Sequence, residues 1–497
     1  MTSSSALDDE ILMQIFFTED SEDDDIDDDP DGANSSKRNR TDFKRGAKRP
    51  KLGDPWETNS WLRLIRNPLV RNPREREGKE FRRKFRVPFP TFEKIVEMCK
   101  NTGEKAFNTP PTDICGFTCI PIELKILAVL RVFADGLSFH TGSELANWLS
   151  ENTLNSFFKL FNSLFRKHFQ NVLIKDMSGE QLIRAMRDYI RLGLPGAVGS
   201  IDATFVPWDR CPAELHNLCD GDKGVGLLFN VVVTHTREVV SVSNGFYATI
   251  NDKTSVKYDD FIQKLKDGKI GEGYSYIMYI PSDNDAGFEE LDLSEFYVIA
   301  DGGYIDIPQI IRGFERSGDS VKYKFSDWIA SVRKDVECFF GILKERFRFL
   351  KRPVTLQKKE DIDNAFVTAC LLHNMILNQD GLDTLWESEV NWKTLNPKGE
   401  AEVADDSSEL DDVYHPIFHD STTFVPRHIA DLIPEERIDF RNPEKQKFEK
   451  LQMLLANHMQ LMYKQGKLRW PKQRSQIAKE FNEDPRREFP DTGDLED

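Results

Sequence analysis

Long apolar runs are absent from this 497-residue sequence, and cysteine is scarce. No stretch approaches the roughly 18 consecutive apolar residues that a transmembrane helix needs, so no membrane partner is expected. The N-terminus lacks the charged-then-apolar layout of a secretory signal peptide. Seven cysteines, scattered singly and odd in number, are typical of a reducing intracellular compartment rather than of a disulfide framework.

Lysine and arginine are absent from residues 1–36, which contain the acidic run EDSEDDDIDDDPDG. Two basic blocks follow, SSKRNRTDFKRGAKRPKLGD and WLRLIRNPLVRNPREREGKEFRRKFRVPFP. The net charge of −17 would argue against nucleic acid as a partner, but the charge is segregated along the chain. Blocks of like charge are typical of disordered interaction tails. The KRPK stretch, with Lys48, Arg49 and Lys51, suits a nuclear-import signal or a nucleic-acid arm, and a solubilising linker is the alternative.

The region after the basic blocks has helical periodicity. PIELKILAVLRVFADG predicts a helix that begins at a proline and ends before Gly136. HTGSELANWLSENTLNSFFKLFNSLFRKHF predicts a short helix with Thr141 and Glu144 as its capping box, then a longer one capped by Ser150. Two helices joined by a tight turn resemble a helix-turn-helix, whose second helix can enter a DNA major groove. A plain helical bundle is the alternative.

At Gly196 the periodicity changes from helix to strand. AVGSIDATFVPW alternates like a strand, and GLLFNVVVTHTREVVSVSNGFYATI predicts a hairpin that turns near Thr236-Arg237. FYVIADGGY predicts a short buried strand, and helices are expected in SVKYDDFIQKLKDG, from Ser326 to Leu350, and in DIDNAFVTACLLHNMIL. The mixture predicts an α/β fold.

Two aspartates lie where folding alone does not require them. Asp202 lies inside a predicted central strand, and Asp301 ends another and leads into two glycines. A buried ionised carboxylate costs several kcal/mol unless it is paired, capping or bound to metal. Glu337, from a helix packed on the sheet, can converge with them. Such oxygen ligands suit Mg²⁺ or Mn²⁺, and a pair of these ions supports phosphodiester hydrolysis and strand transfer.

Basic residues share the helix of Glu337. Helical spacing puts Arg333 and Lys344 on the same side as this carboxylate. They can hold DNA phosphates beside the metals, or they can be ion-pair partners of the carboxylate. Spacing alone leaves both alternatives open.

Five ordered blocks resemble PIF/Harbinger-type transposases, a group within the DDE superfamily. These blocks run from about Leu124 to Leu377 and are GSIDATFVPW, FNVVVTHTREVVSVSNGFYATINDKT, YVIADGGY, RKDVECFFGILKERFRFLK and LLHNMIL. The terminal LANHMQLMYKQGKLRWPK is similar to the tails of some members. The resemblance implies an RNase H-like α/β domain, a mixed sheet flanked by helices, preceded by a helix-turn-helix region.

The resemblance also implies an activity and a site. Members cut transposon ends and join the 3′ ends to target DNA, so double-stranded DNA is the expected partner, with two Mg²⁺ or Mn²⁺ ions. The acidic triad falls on Asp202, Asp301 and Glu337, and Asp252 falls on a further recurrent acid, taken as structural or supporting. Nuclear action, with the cytoplasm as a second location, a homo-oligomer and a separate Myb-like partner protein are also implied.

One residue departs from the family pattern. The family commonly has His three residues after the first aspartate, and this chain has Phe205. The alternative function is therefore a domesticated, catalytically inert nuclear protein that acts by binding DNA or protein. An unrelated metal phosphohydrolase of the same fold fits the basic arm and tail poorly.

The sequence thus predicts four regions. These are a disordered acidic then basic tail over 1–54, a helical region over 55–195, and a catalytic domain over 196–378. An acidic linker and a basic amphipathic helix, with PEKQKFEKLQMLLANHMQLMYKQGKLRWPK, are expected over 379–497.

Overall fold

The structure is a computed structural model. It describes residues 59–112, 118–146, 148–283, 287–315, 318–382, 389–391, 417–418, 427–434, 437 and 439–471. The predicted tail over 1–54, with Lys48, Arg49 and Lys51, lies outside these residues, as does most of the acidic stretch beyond 382. Within them, no helix is both long and apolar enough to span a membrane.

Seven helices occupy the first part of the described chain. They are α1 (Ser60–Arg66), α2 (Arg76–Phe85), α3 (Phe89–Asn101), α4 (Ile122–Asp135), α5 (Phe139–Ala146), α6 (Glu151–Leu173) and α7 (Gly179–Arg191). A short 3₁₀ turn, Pro68–Arg71, joins α1 to α2. The second basic block is therefore folded rather than a tail, because buried Phe81 and Phe85 anchor it to the core.

Local signals place several of these helix ends. α4 ends where Gly136 takes φ 61°, a left-handed cap that glycine adopts without strain. Ser150 caps α6, its side chain accepting the Thr153 amide at 3.2 Å. The capping box predicted at Thr141 is wrong, because α5 already begins at Phe139 and Ser138 accepts the Thr141 amide instead.

The long helix α6 is largely a core helix. Its apolar face, with Phe157, Phe158 and Phe161, is buried. Its basic side chains make internal contacts: Arg166 donates to Asn244 and Asn364, and Lys167 pairs with Glu104. This burial favours the helical-bundle alternative over a helix that reads a DNA groove.

A seven-stranded mixed sheet follows the helical region. Its members are β1 (Ala197–Pro207), β2 (Asp220–Gly221), β3 (Gly224–Val233), β4 (Val239–Val242), β5 (Phe246–Tyr247), β8 (Tyr297–Ile299) and β9 (Ile310–Ile311). The order is β2-β3-β1-β8-β9, with β4 and β5 also paired to β3. β1 and β3 are antiparallel, and β8 and β9 run parallel to β1. The arrangement is compatible with an RNase H-like domain.

Short helices connect and long helices flank this sheet. The short ones are α8 (His216–Cys219), α9 (Asp252–Ser255) and α10 (Asp260–Lys266), and the long ones are α11 (Ser320–Arg346) and α12 (Lys359–Gln379). The helix predicted in SVKYDDFIQKLKDG is interrupted, because Asp259 ends a 3₁₀ turn, Val256–Tyr258, and caps α10. A further 3₁₀ turn, Arg348–Leu350, follows α11.

Two hydrophobic clusters form the core. One joins α1–α6, β3, the C-terminal half of α11 and α12, so the helical region and the sheet share it. The other joins α7, β8 and the first half of α11 to α13 (Pro443–Gln465), the helix expected near the C-terminus. α11 crosses both clusters, so the helix of Glu337 is held along most of its length.

A second hairpin was not expected from the sequence. β6 (Tyr274–Pro281) and β7 (Phe288–Leu293) pair antiparallel, and β11 (Ile417–Phe418) adds to β6. α13 packs against β6, where the His458 ring stacks on Tyr279. β10 (Glu389–Asn391) and β12 (Arg469–Pro471) form a separate pair, and a 3₁₀ turn, Ile429–Leu432, precedes α13.

Candidate active site

Strand register brings the first two predicted acids together. Ser200 of β1 pairs with Ile299 of the parallel strand β8. Asp202 and Asp301 each lie two residues beyond that pair, so Asp202, inside β1, and Asp301, just past the end of β8, are at the same level. Asp202 Oδ1 accepts its neighbour Ala203 N–H at 2.8 Å, and Asp301 Oδ1 accepts Gly303 N–H at 2.8 Å.

Asp252 joins these two aspartates. It lies in the first turn of α9, whose N-cap Asn251 accepts the Thr254 amide at 2.9 Å. Gly303 marks the shared space: a methyl group there would lie 3.1 Å from Asp301 Oδ1 and 3.8 Å from Asp252 Oδ2. The acid that the sequence analysis treated as supporting is therefore part of the cluster.

The cluster is electrostatically strained. Burial raises the pKa of Asp202 to about 6; Ala203 N–H and Arg333 oppose the shift, while Asp301 and Asp252 add to it. The pKa of Asp252 is raised by burial and by Asp301, against the pull of Lys223. Carboxylates whose pKa is raised by burial and by neighbouring acids are typical of functional sites.

Glu337 reaches the cluster through an arginine. It lies on α11 with its side chain 48% exposed, and its Oε1 is 2.6 Å from Arg333 Nη2. Arg333 Nη1 lies 3.4 Å from Asp202 Oδ2. The guanidinium thus links the helix carboxylate to the strand carboxylate.

The oxygen donors suit a hard divalent cation, but their present arrangement does not enclose one. Among the residues that the structure describes, no group of three His, Cys, Asp or Glu side chains is arranged to hold a metal ion. Arg333 supplies positive charge between Asp202 and Glu337, where a cation would otherwise do so.

Lys344, the second predicted phosphate contact, is also held internally. Its Nζ donates to the Phe205 carbonyl at 2.7 Å. Burial, with Lys223 nearby, lowers the pKa of Lys344 to about 8. In this conformation Arg333 is the ion-pair partner of Glu337, which is one of the two sequence alternatives, whereas Lys344 contacts a backbone carbonyl instead of the carboxylate.

Phe205 lies outside the acidic cluster. β1 pairs with β3 residue by residue from Ser200 to Pro207, so side chains alternate between the two faces. Phe205 is three residues from Asp202 and therefore on the opposite face. There its ring covers Gly226 of β3, where an added methyl would be 2.5 Å from the ring. Having Phe205 where the family commonly has His therefore removes no side chain from the acidic cluster.

Tyr304 belongs to the site and was not predicted. It is 2% exposed, and burial raises its pKa well above the usual range, with Asp202, Asp252 and Asp301 adding to the shift. Its hydroxyl has no hydrogen-bond partner among the described residues. The available signal was an aromatic residue directly after the two glycines that follow Asp301.

Comparison with known proteins bears on this same part of the chain. Residues 175–383 match a family described as plant transposon protein. The chain is similar to transposon-encoded proteins. It is also 21% identical, over 314 residues, to a protein of Arabidopsis thaliana named Protein ALP1-like, covering 61% of this chain and 72% of that one. No solved structure matches.

The matched segment carries the whole acidic cluster. It begins before α7 and ends after α12, so it includes Asp202, Asp252, Asp301 and Glu337. Helices α1–α6 lie ahead of it. The similarity supports a transposase-related family, and the family match covers the sheet and the helices that carry these acids.

A cavity of about 460 Å³ opens beside Asp301. It lies between the end of β8, the loop after β9 and α11, and Arg312 and Arg333 contribute to its wall. Arg312 Nη2 is 2.6 Å from Asp306 Oδ1, so its charge is partly balanced.

Proposed function

We propose that this chain is a DDE-type transposase, or a transposase-derived endonuclease, that cuts transposon-end DNA and joins the 3′ ends to target DNA. The single observation that supports this best is the cluster of Asp202, Asp252 and Asp301, reached by Glu337 through Arg333. Similarity to transposon-encoded proteins over the same residues supports it further. The sheet order is in keeping with an RNase H-like catalytic domain.

In the proposed mechanism, Asp202, Asp301 and Glu337 would hold two divalent ions, and Asp252 would add negative charge beside them. The bound ions would activate a water or a 3′-hydroxyl and stabilise the leaving oxygen. Arg333 releases Glu337 and becomes free to contact a DNA phosphate. Tyr304 keeps water away from the inner side of the cluster, because its ring is buried there.

A nicking assay tests the proposal without knowledge of the DNA end. Supercoiled plasmid is incubated with the full chain and Mg²⁺ or Mn²⁺. We expect Glu337→Gln and Asp202→Asn to abolish nicking. Asp327→Asn, which alters an exposed acid on the same helix, should leave it unchanged. Equal nicking by wild type and Glu337→Gln would refute the mechanism.

The alternative function is an inert, domesticated nuclear protein that binds DNA or protein. The observation that favours it is the Arg333 guanidinium, which already satisfies both Glu337 and Asp202. Calorimetric titration with Mn²⁺ separates the two functions. An intact enzyme binds Mn²⁺, and Asp202→Asn weakens binding, whereas an inert protein gives no heat attributable to the cluster.

Nuclear localisation is part of the same proposal. The basic residues of 37–51, including Lys48, Arg49 and Lys51, are the proposed import signal. Deleting 37–51 from a fluorescently tagged full chain should reduce nuclear accumulation. Unchanged localisation would remove this role from the segment.

A further inference from the structure

A second basic feature lies away from the acidic cluster. A cleft of about 750 Å³ separates α2 from the C-terminal half of α11. Its lining contains six basic side chains and one acid. The basic residues are Arg74, Lys79, Arg82, Arg83, Arg86 and Arg346, and the acid is Glu345.

Four of these cations form a stripe on one face of α2 and its cap. Lys79, Arg82, Arg83 and Arg86 are spaced at i, i+3, i+4 and i+7. Lys79 and Arg83 are exposed, and neither has an acidic partner among the described residues. Arg86 takes φ 61°, an unusual conformation for a non-glycine residue, while its amide closes α2 on the Arg82 carbonyl.

The acids near the cleft compensate this charge only in part. Asp380 pairs with Arg82 through both carboxylate oxygens, at 2.9 and 2.5 Å. Glu345 pairs with Lys351. Burial, together with the nearby Arg82, lowers the pKa of Arg346 to about 10, and Asp380 opposes this shift.

Arg86, which lines the cleft, has a buried donor, its Nε. It has no hydrogen-bond partner among the described residues. A buried donor left without an acceptor is costly, and so is a concentration of like charge. An anion in the cleft would relieve both.

The cleft and the acidic cluster share the exposed face of α11. Glu337, Gly341 and Glu345 are exposed and follow one another at helical spacing. Eight residues separate Glu337 from Glu345, which corresponds to roughly 12 Å along the helix axis. Gly341 has no side chain, and a methyl added there would meet open space, so nothing rises between the two ends.

We propose that this cleft binds the phosphate backbone of duplex DNA on its way to the acidic cluster. The inference deepens the proposed function, since it rests on DNA being the substrate. The stripe from Lys79 to Arg86 spans roughly 10 Å, whereas phosphates rise about 3.4 Å apart along one strand. The stripe therefore matches several successive phosphates better than a single free anion.

Salt-dependent binding of DNA by the full chain tests the proposal. A labelled 30-base-pair duplex is titrated by fluorescence anisotropy at several salt concentrations. The test variant is Lys79→Gln with Arg83→Gln, two exposed residues whose replacement keeps good helix formers. The matched control is Lys264→Gln with Lys266→Gln, two exposed lysines on α10.

We expect the test variant to bind more weakly, with a log–log salt slope shallower by roughly 2. Between about 50 and 200 mM salt this difference amounts to roughly a 15-fold smaller loss of affinity. The control should keep the wild-type slope. An unchanged slope in the test variant, or an equal change in the control, would overturn the proposal.

Tighter binding by the test variant would also overturn it. That result would indicate that the cleft holds acidic residues of the chain's own 1–36 segment in place of DNA. The inference and the proposed function fail separately. If the salt slope changes in the test variant but the wild type never nicks plasmid, the cleft binds DNA and the proposed nuclease activity is wrong. If the wild type nicks plasmid but the slope is unchanged in the test variant, the proposed activity stands and the cleft is not the DNA-binding site.

Discussion

Gly303 is the residue that controls the space between two of the acids. Its absent side chain leaves a point 3.1 Å from Asp301 Oδ1 and 3.8 Å from Asp252 Oδ2. The backbone of Gly303 is not in the left-handed region, so alanine adds bulk there without backbone strain. We expect Gly303→Ala to reduce Mn²⁺-dependent nicking more than ten-fold while changing the melting temperature little.

The neighbouring glycine supplies the control. A methyl group at Gly302 would meet no atom within 4 Å. Gly302→Ala should therefore nick plasmid at the wild-type rate. Equal losses in the two variants would mean that the turn needs glycine for its conformation, not for the space beside the acids.

Asp202 is expected to make stability depend on pH. Its folded-state pKa is raised to about 6, so the folded chain holds this proton more tightly than the unfolded chain does. The stability associated with protonated Asp202 is complete below about pH 4 and is lost as pH rises through about 6. Without metal, Asp202→Asn should be more stable than wild type by about 3 kcal/mol at pH 8 and nearly equal to it near pH 4.

Urea unfolding at these two pH values measures the difference. Mn²⁺ should stabilise wild type and not the variant, because only wild type keeps the carboxylate. If Asp202→Asn is less stable than wild type at pH 8, the carboxylate is structurally required and the cluster is not strained as described.

α11 owes its position on the sheet partly to a buried ionic contact behind Glu337. Asp335 Oδ2 lies 2.5 Å from His235 Nδ1, and Asp335 Oδ1 lies 3.1 Å from Arg237 Nε. Both partners belong to the β3–β4 turn. Asp335→Ala should lower the free energy of unfolding by about 3–5 kcal/mol, since it leaves Arg237 partly buried without its carboxylate.

Denaturant unfolding compares this variant with a change on the outer face. Asp327→Asn alters an exposed acid of the same helix and should stay within about 0.5 kcal/mol of wild type. If the two changes cost the same, the β3–β4 turn does not hold α11.

Nearby residues predicted several helix ends and turns correctly, although the capping box predicted at Thr141 was wrong. The Gly136 end of α4, the Ser150 cap of α6 and the turn after β3 all follow from nearby residues. The β6–β7 hairpin was missed, because β7 has the acidic sequence FEELDL and β6 packs against α13 from far along the chain. Long-range packing of this kind produces no periodic pattern in the amino-acid sequence.

In the candidate site too, the features set by local sequence were predicted and those set by long-range packing were not. Strand endings and family blocks pointed to Asp202 and Asp301, and register then placed them side by side. The link from Glu337 to Asp202 depends on the side-chain conformation of Arg333 and on the packing of α11 against β1. The spacing of residues along α11 could not predict either. The block LLHNMIL proved structural in one respect: Asn374 bonds both backbone groups of Val239, a pairing that needs the fold to be seen.

Across the described chain, the helical region and the sheet share one core and should unfold together. Phe158 of α6 packs on Phe133 of α4 and on Phe349, which follows α11. Its removal therefore weakens both parts at once. We expect Phe158→Ala to cost about 3–5 kcal/mol and to lower hydrogen-exchange protection in β1 and β3 as much as in α4.

The matched control is Val172→Ala, near the end of α6, because Val172 is 57% exposed. It should leave protection unchanged throughout. Loss of protection confined to residues 59–173 in Phe158→Ala would mean that the helical region unfolds by itself. The helices would then be an independent module joined to the acidic cluster, and mutations in them would leave the stability of the strands that carry Asp202 and Asp301 unchanged.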